Sequence, residues 1–471
     1  MNLPTNPKNP ITSIKSKIQG FLANSDNKLI FAMFFPILIE QLILVLMGTV
    51  HSVMLARVKV NAEYIVSAVS LVEQLNQLAY ALLGSVSLGA TVIVSQYIGA
   101  GKINEAKATA EQAVMLGFVL ALAVTAAFMF FGEQIFGIFF KIDNIEPETY
   151  NYAMQYMQLS VLSYSFLNIG TTAAGVIRGT GDAKSPMRIS IVIGIINAAI
   201  AGILIYGFNL NVIGAGIASI VSRFFGAIVA VRLLVKQGFI SKFTNIFKIK
   251  LLYIKQIMKI GIFQSIESLI FQFGRTLTYR YFNGDIDIAA NSVTGSMFNL
   301  TSAPGNSMSI VAMALVGRLS GAGEKKSAYK VLRNIVFISM FLLLILNLVF
   351  LPLSPLFISL YTGEFDAENL IQIKDLIYQL IILNVVFMPT FWSPAFILFS
   401  GMKGAGDVKY TTTVSIASMW LVRVLFAYIL GDVFNLGVIG VWLGMFSDWV
   451  CRAIFAIIRF RSKKWQEKSI I

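Results

Sequence analysis
Apolar runs of about 20 residues or more recur from residue 30 to residue 459, with short polar stretches between them. At about 1.5 Å of rise per residue, a helical run of that length crosses a ~30 Å hydrocarbon core. The runs fall near 30–55, 64–95, 109–132, 150–175, 186–208, 212–235, 258–282, 287–317, 330–353, 370–400, 410–430 and 436–459. They predict an all-α polytopic membrane protein with twelve transmembrane helices. A transmembrane β-barrel would show shorter segments of alternating polarity. The second, eighth and tenth runs exceed what a bilayer needs and are expected to tilt or protrude.

The polar stretches alternate in sign. Residues 232–260 hold Arg232, Lys236, Lys242, Lys248, Lys250, Lys255 and Lys259 without an acid. Residues 318–333 and the C-terminal stretch are also basic. The intervening connections carry Glu133, Asp143, Glu146 and Glu148, then Asp285 and Asp287, then Glu364, Asp366, Glu368 and Asp375. Lys and Arg mark cytoplasmic loops, so both termini of this multi-pass chain are expected on the cytoplasmic side of the cell membrane. Arg57 and Lys59, in the first outer connection, run against the pattern. The net charge of +14 is thus an orientation device that faces anionic lipid headgroups, and no nucleic-acid partner is expected. Only 13% of residues are charged and the mean hydropathy is +0.76; a soluble chain carries about 25% charged residues. Cys451 is the single cysteine, so no intrachain disulfide forms. The first 28 residues are polar and lack a signal-peptide core, so targeting is expected to fall to the first membrane helix.

A repeat underlies the twelve runs. GAGKINEAKATAEQA (Gly99–Ala113) resembles GAGEKKSAYKVLRN (Gly321–Asn334) at an offset of 222. GTGDAK (Gly179–Lys184) resembles GAGDVK (Gly404–Lys409) at 225, VIG recurs at 226, and IEQL (Ile39–Leu42) recurs as IESL (Ile266–Leu269) at 227. Six spans per repeat return the chain to the same side, so the two six-helix lobes form a parallel internal repeat about an axis along the membrane normal. The expected organisation is a tail over 1–28, an N-lobe over 29–236, a basic linker over 237–257, a C-lobe over 258–460 and a tail over 461–471.

No GxxxxGK[ST] phosphate loop, HExxH or cysteine–histidine cluster is present. That argues against an enzyme, a self-contained ATP pump or a confident metal site, and leaves a secondary transporter with no cofactor beyond a coupling H⁺ or Na⁺.

Four segments then carry a family likeness. VSQYIGAG (Val94–Gly101), IRGTGDAKSPM (Ile177–Met187), VIGAGIASIVSR (Val212–Arg223) and GMKGAGDVK (Gly401–Lys409) resemble the multidrug and toxic compound extrusion (MATE) family, over residues 30–465. The resemblance implies twelve helices in two lobes and export of amphipathic, often cationic compounds against Na⁺ or H⁺ by alternating access. Three positions depart from the family pattern: His51 stands where many members carry aspartate, Ala201 follows Asn197 where many have an acid or amide, and helix seven begins Gly261-Ile262-Phe263 instead of Gly-X-Pro. The depleted oxygen ligands favour H⁺ over Na⁺.

Ionisable residues at mid-membrane are costly and mark candidate function. Glu40 lies about ten residues into its run, ~15 Å deep, and Glu267 is its repeat mate. Each is a candidate coupling carboxylate or a packing device. His51 shares a helix face with Glu40 and titrates near neutrality when unperturbed; it is a proton switch or a hydrated interface residue. Glu73 enters from the same side and is a candidate partner of His51. Glu73, Asn76, Gln77, Tyr80, Gly84 and Ser87 form a polar stripe at helical spacing, expected to line a cavity. Gln264, Arg275, Asn291, Asn299, Asn384 and Trp392, with Asn197, complete the expected substrate cavity. Asp448 and Arg452 are spaced for an intrahelical ion pair.

The expectation is an H⁺-coupled efflux antiporter for an amphipathic, cationic molecule, working as a monomer. The alternatives are a lipid-linked saccharide flippase, which would need the cationic lining that Arg275 and Arg280 hint at, and a non-transporting sensor or scaffold, against which the lack of a fused soluble domain counts.

Overall fold
The computed structural model describes residues 25–58, 60–140, 142, 145–240, 248–361, 367–468 and 470–471. Residues 1–24 of the expected tail and 241–247 of the expected linker lie outside the described residues, as do Lys59, Asp143, Glu364 and Asp366.

Twelve helical crossings follow the twelve apolar runs. They are α1 (Ser25–Ala56), α2 (Ala62–Gly99), α3 (Ile103–Phe139), α4 (Pro147–Leu162 and Tyr164–Gly179, bent by 44°), α5 (Lys184–Gly207) and α6 (Asn211–Lys236). The second set is α7 (Leu251–Thr278), α8 (Asp285–Gly321), α9 (Lys325–Tyr361), α10 (Ala367–Phe387 and Ser393–Ala405), α11 (Val408–Val433) and α12 (Gly437–Arg461). No strand occurs among the described residues. Nine crossings are long and apolar enough to span alone among the described residues, and α4 makes a tenth when its arms are joined. The other two, α7 and α8, are of ample length and more polar: α7 carries Gln264, Glu267, Gln272 and Arg275, and α8 is rich in Asn, Ser, Thr and Gly.

The repeat motifs terminate helices. Gly101, Gly181, Gly323 and Gly406 end α2, α4, α8 and α10 with φ of 72°, 94°, 74° and 105°. This left-handed helix exit favours glycine, which explains why each motif keeps one there. In α10, Pro389 cannot donate a backbone hydrogen bond; the helix answers with a π turn over Met388–Trp392. Two further π turns, Met419–Val424 and Tyr428–Val433, interrupt α11.

The lobes close on each other at the end that bears Gly99 and Gly321. A Cβ on Gly99 would collide with the Arg318 carbonyl, and one on Gly321 with the Gln96 carbonyl. Gln96 and Arg318 stand 222 residues apart, as the two glycines do. The contact is therefore isologous, each lobe presenting the same patch to the other. Gln96 Nε2 adds a bond to the Gly404 carbonyl at 2.7 Å. Two core clusters at this end mix the lobes. Ile30, Met33, Phe34 and Ile37 of α1 pack with C-lobe residues such as Met308 and Leu332. Ile257 and Ile260 of α7 pack with N-lobe residues such as Ala90 and Ile177. The clusters at the opposite end each belong to one lobe, and there the stacked rings of Phe139 and Phe273, 6.1 Å apart, touch across the divide. Thus α1 and α7 are the helices that lean on the opposite lobe.

Candidate functional site
Each leaning helix carries a carboxylate tied back to its own lobe, buried in α1 and partly buried in α7. Glu40 on α1 accepts from Arg178 Nη1 on α4 at 2.7 Å, with the two side chains 6% and 11% exposed. Glu267 on α7 accepts from Lys403 Nζ on α10 at 2.7 Å. Arg178 and Lys403 are repeat mates, each directly preceding its Gly-x-Gly-Asp motif. The repeat has therefore duplicated an ion pair along with its acid.

The two pairs differ in completeness. Glu267 Oε2 also accepts from Thr412 Oγ1 at 3.0 Å, and Lys403 also donates to Gln264 Oε1 at 3.0 Å. In the N-lobe, Glu40 Oε2 and Arg178 Nε are buried without a partner. In low dielectric such vacancies are costly.

A second polar network fills the N-lobe. Glu73 Oε1 accepts from Asn76 Nδ2 at 3.0 Å and from the Tyr156 hydroxyl at 2.9 Å. Asn76 Oδ1 accepts from Tyr164 at 2.5 Å. Arg223 on α6 donates to Tyr80 at 2.9 Å and to Ser163. Its charge acts on Glu73 and on His51 alike. His51 is buried, faces the Asn197 side chain, and leaves Nε2 unpaired; Asn197 in turn donates to Ser222 Oγ at 3.1 Å. The expected His51–Glu73 pair is not what forms: each has other partners, with Arg223 within electrostatic reach of both.

The expected cavity residues divide. Gln77, Asn299 and Arg275 are exposed along membrane helices, and Tyr80, Gln264 and Asn291 are half-buried. Asn76, Asn197, Asn384 and Trp392 lie inside the lobes. Asn384 donates to Asn347 Oδ1 at 3.2 Å beside a cavity of about 10 Å³ lined also by Thr294 and Phe350. Trp392 packs against Phe396 and over Gly305. Asn291 Oδ1 accepts from Trp442 Nε1 at 3.0 Å, pinning α8 to α12. The α2 stripe is likewise not a cavity wall along its length: Asn76 bonds α4 and Ser87 donates to the Thr171 carbonyl on α4 at 2.7 Å. Polar groups in a membrane are satisfied by a neighbouring helix as readily as by water.

The C-lobe interior is richer in charge. Asp448 Oδ1 accepts from Arg452 Nε at 2.8 Å, the i,i+4 pair its spacing predicts. Arg423, on a π turn of α11, stands beside them. Arg178, Lys403 and Arg223 were not among the residues the sequence singled out for the site. Arg178 and Lys403 hold the same place in the two repeats, which was an available signal; Arg223 ends its motif but has Trp449 at the equivalent place, so no such signal marked it. Among the described residues no three His, Cys, Asp or Glu side chains converge as a metal cluster.

Known proteins share this architecture. The MatE family model matches residues 36–203 and 260–429. The "Probable multidrug resistance protein NorM" of Thermotoga maritima is 24% identical over 93% of this chain and 92% of its own. The "Uncharacterized transporter YisQ" of Bacillus subtilis is 24% identical over 94% and 95%. Among solved structures, a MOP superfamily transporter from Pyrococcus furiosus, described for the reverse polarity of its binding pocket, superposes with a TM-score of 0.84 at 19% identity, covering 95% of this chain and 98% of its own. An outward-facing multidrug resistance MATE transporter superposes equally well, TM-score 0.84 at 19% identity over 94% and 98%. At these identities the superpositions carry the fold, two lobes of six helices.

Proposed function
The chain belongs to the multidrug and toxic compound extrusion family, whose members are membrane transporters and not enzymes, and from that premise we propose that it is a proton-coupled efflux antiporter working by alternating access. The observation that carries the reading is the duplicated ion pair: α1 and α7, helices that lean on the opposite lobe, each carry a carboxylate ion-paired with a base of their own lobe. Protonating Glu267 or Glu40 cancels its attraction for Lys403 or Arg178 and frees the leaning helix. Such a step can bias the two lobe arrangements by as much as proton affinity differs between them. A Na⁺ ion would have to displace an ammonium or a guanidinium from the carboxylate, whereas a proton need only neutralise it. His51 and Glu73, both near Arg223, extend the protonatable set toward the opposite end.

Sidedness follows from charge. The closed end bears Lys102, Lys107, Lys184, Arg318, Lys325, Lys330 and Lys409, and the opposite end bears Glu133, Glu146, Glu148, Asp287 and Asp432. The positive-inside tendency supports a cytoplasmic side for the closed end and for both termini. The matches to multidrug relatives do not favour the flippase alternative. A cationic substrate draws no support from the charge balance. Glu40, Glu267 and Asp448 are paired with Arg178, Lys403 and Arg452, Glu73 has Arg223 nearby, and Arg423 and Arg275 remain.

The test is transport in proteoliposomes with H⁺ and Na⁺ gradients imposed separately and a fluorescent amphiphile followed. We expect the H⁺ gradient alone to drive movement, Glu40→Gln and Glu267→Gln to fall to the level of empty vesicles, and His51→Ala to be slowed. Movement that answers only to Na⁺ would refute the coupling.

A further inference from the structure
Two lobes built on one repeat place equivalent backbone positions alike, so a change of side chain at such a place is informative. Asn197 on α5 and Ser222 on α6 stand 226 residues before Arg423 on α11 and Asp448 on α12, the offset of the VIG repeat. In the N-lobe these two positions bond each other and are closed. In the C-lobe the asparagine has become a guanidinium and the serine a carboxylate, and the two attract each other without a hydrogen bond between them. Asp448 Oδ1 is taken by Arg452 Nε at 2.8 Å. Arg423 is 6% exposed, its Nε is buried and unpaired, and among the described residues no acceptor bonds it.

What surrounds Arg423 favours an anion. The Phe271 ring lies 5.2 Å from its guanidinium carbon. The charges acting on it are Asp448, Arg275 and Arg452. Arg275 is exposed and follows Phe271 by four residues, one helical turn along the same face of α7. Glu267 is committed to Lys403, and Asp448, bonded to Arg452 through Oδ1 with Oδ2 unpaired, is the single carboxylate acting on Arg423 beside Arg275 and Arg452, so the group keeps an excess of positive charge. Leaving the buried Nε unpaired is costly, and a carboxylate or phosphate accepts paired guanidinium N–H donors in a bidentate geometry. The aromatic wall of Phe271 and Phe396, over which Arg452 also lies at 5.6 and 5.4 Å, suits the apolar part of the same ligand.

We propose that Arg423 and Arg275 form an anion subsite in the C-lobe that takes the carboxylate or phosphate of an amphipathic substrate. The word substrate rests on the efflux reading above; binding does not, so it is tested without any gradient. The full chain in phosphatidylcholine nanodiscs is titrated with carboxyfluorescein and with tetramethylrhodamine methyl ester, xanthene dyes of opposite charge. Wild type is expected to bind the anion more tightly than the cation. Arg423→Gln and Arg275→Gln should each weaken the anion by about tenfold or more and leave the cation unchanged or tightened, and Arg423→Lys should recover part of the loss. Arg275 is exposed, so its variant keeps the test valid if Arg423→Gln does not fold. Tighter binding of the cation by wild type, or anion binding indifferent to both arginines, overturns the proposal. In nanodiscs containing phosphatidylglycerol, undiminished carboxyfluorescein binding supports a substrate site. Weakening in wild type that disappears in Arg275→Gln assigns the site to a lipid headgroup and overturns it.

Discussion
The N-lobe and the C-lobe hold the same ion pair in the same place and finish it differently. Glu267–Lys403 is knitted into Thr412 and Gln264, whereas Glu40–Arg178 leaves one carboxylate oxygen and one guanidinium nitrogen unpaired. Beyond the pair the contents diverge further: His51, Asn197 and Ser222 in one lobe, Arg423, Asp448 and Arg452 in the other. Duplication has conserved the tether that holds each leaning helix and released the surrounding positions. The tether is thereby separated from whatever distinguishes the lobes chemically.

The comparison can be broken most severely at the pairs. Lys403→Met leaves Glu267 buried without its cation and should cost about 3–5 kcal/mol, read as thermal unfolding in detergent. Arg178→Met should cost less, because the N-lobe pair has fewer bonds to lose. A reversed order would show that the extra bonds to Thr412 and Gln264 do not matter. Next in size is the closed end. Gly99→Val and Gly321→Val push a side chain into the facing carbonyl, and overpacking of this kind costs about 1–3 kcal/mol. Because the contact is isologous, the two should be nearly equal and should widen the spin-label distance between the lobes at that end. Unequal effects would mean that the pseudo-symmetry is only geometric. The mildest test is Asn291→Ala, which removes the Trp442 bond and should cost about 1 kcal/mol without altering coupling.

Much of the architecture was readable in the residue order. Twelve apolar runs became twelve crossings, and the repeat offsets located the helix-ending glycines and the acids Glu40 and Glu267. The partners of those acids were less accessible. Arg178 and Lys403 sit near helix ends, where a base reads as one more loop charge, and each meets its acid across well over a hundred residues. The α2 stripe read as a cavity wall because helical periodicity reports that polar residues share a face. It carries no information on whether water or another helix lies opposite.

Hydrophobic length, charge asymmetry and repetition are properties of single segments and their spacing, so they survive in a linear chain: helical class, crossing number, two equivalent halves and the polar helices α7 and α8. Which base neutralises which acid, and that Arg423 makes no hydrogen bond to one among the described residues, depends on how neighbouring helices rotate and slide against each other. Those choices are made by packing at contacts such as Gly99–Arg318 and Gly321–Gln96, where a fraction of an ångström decides which side chains can meet.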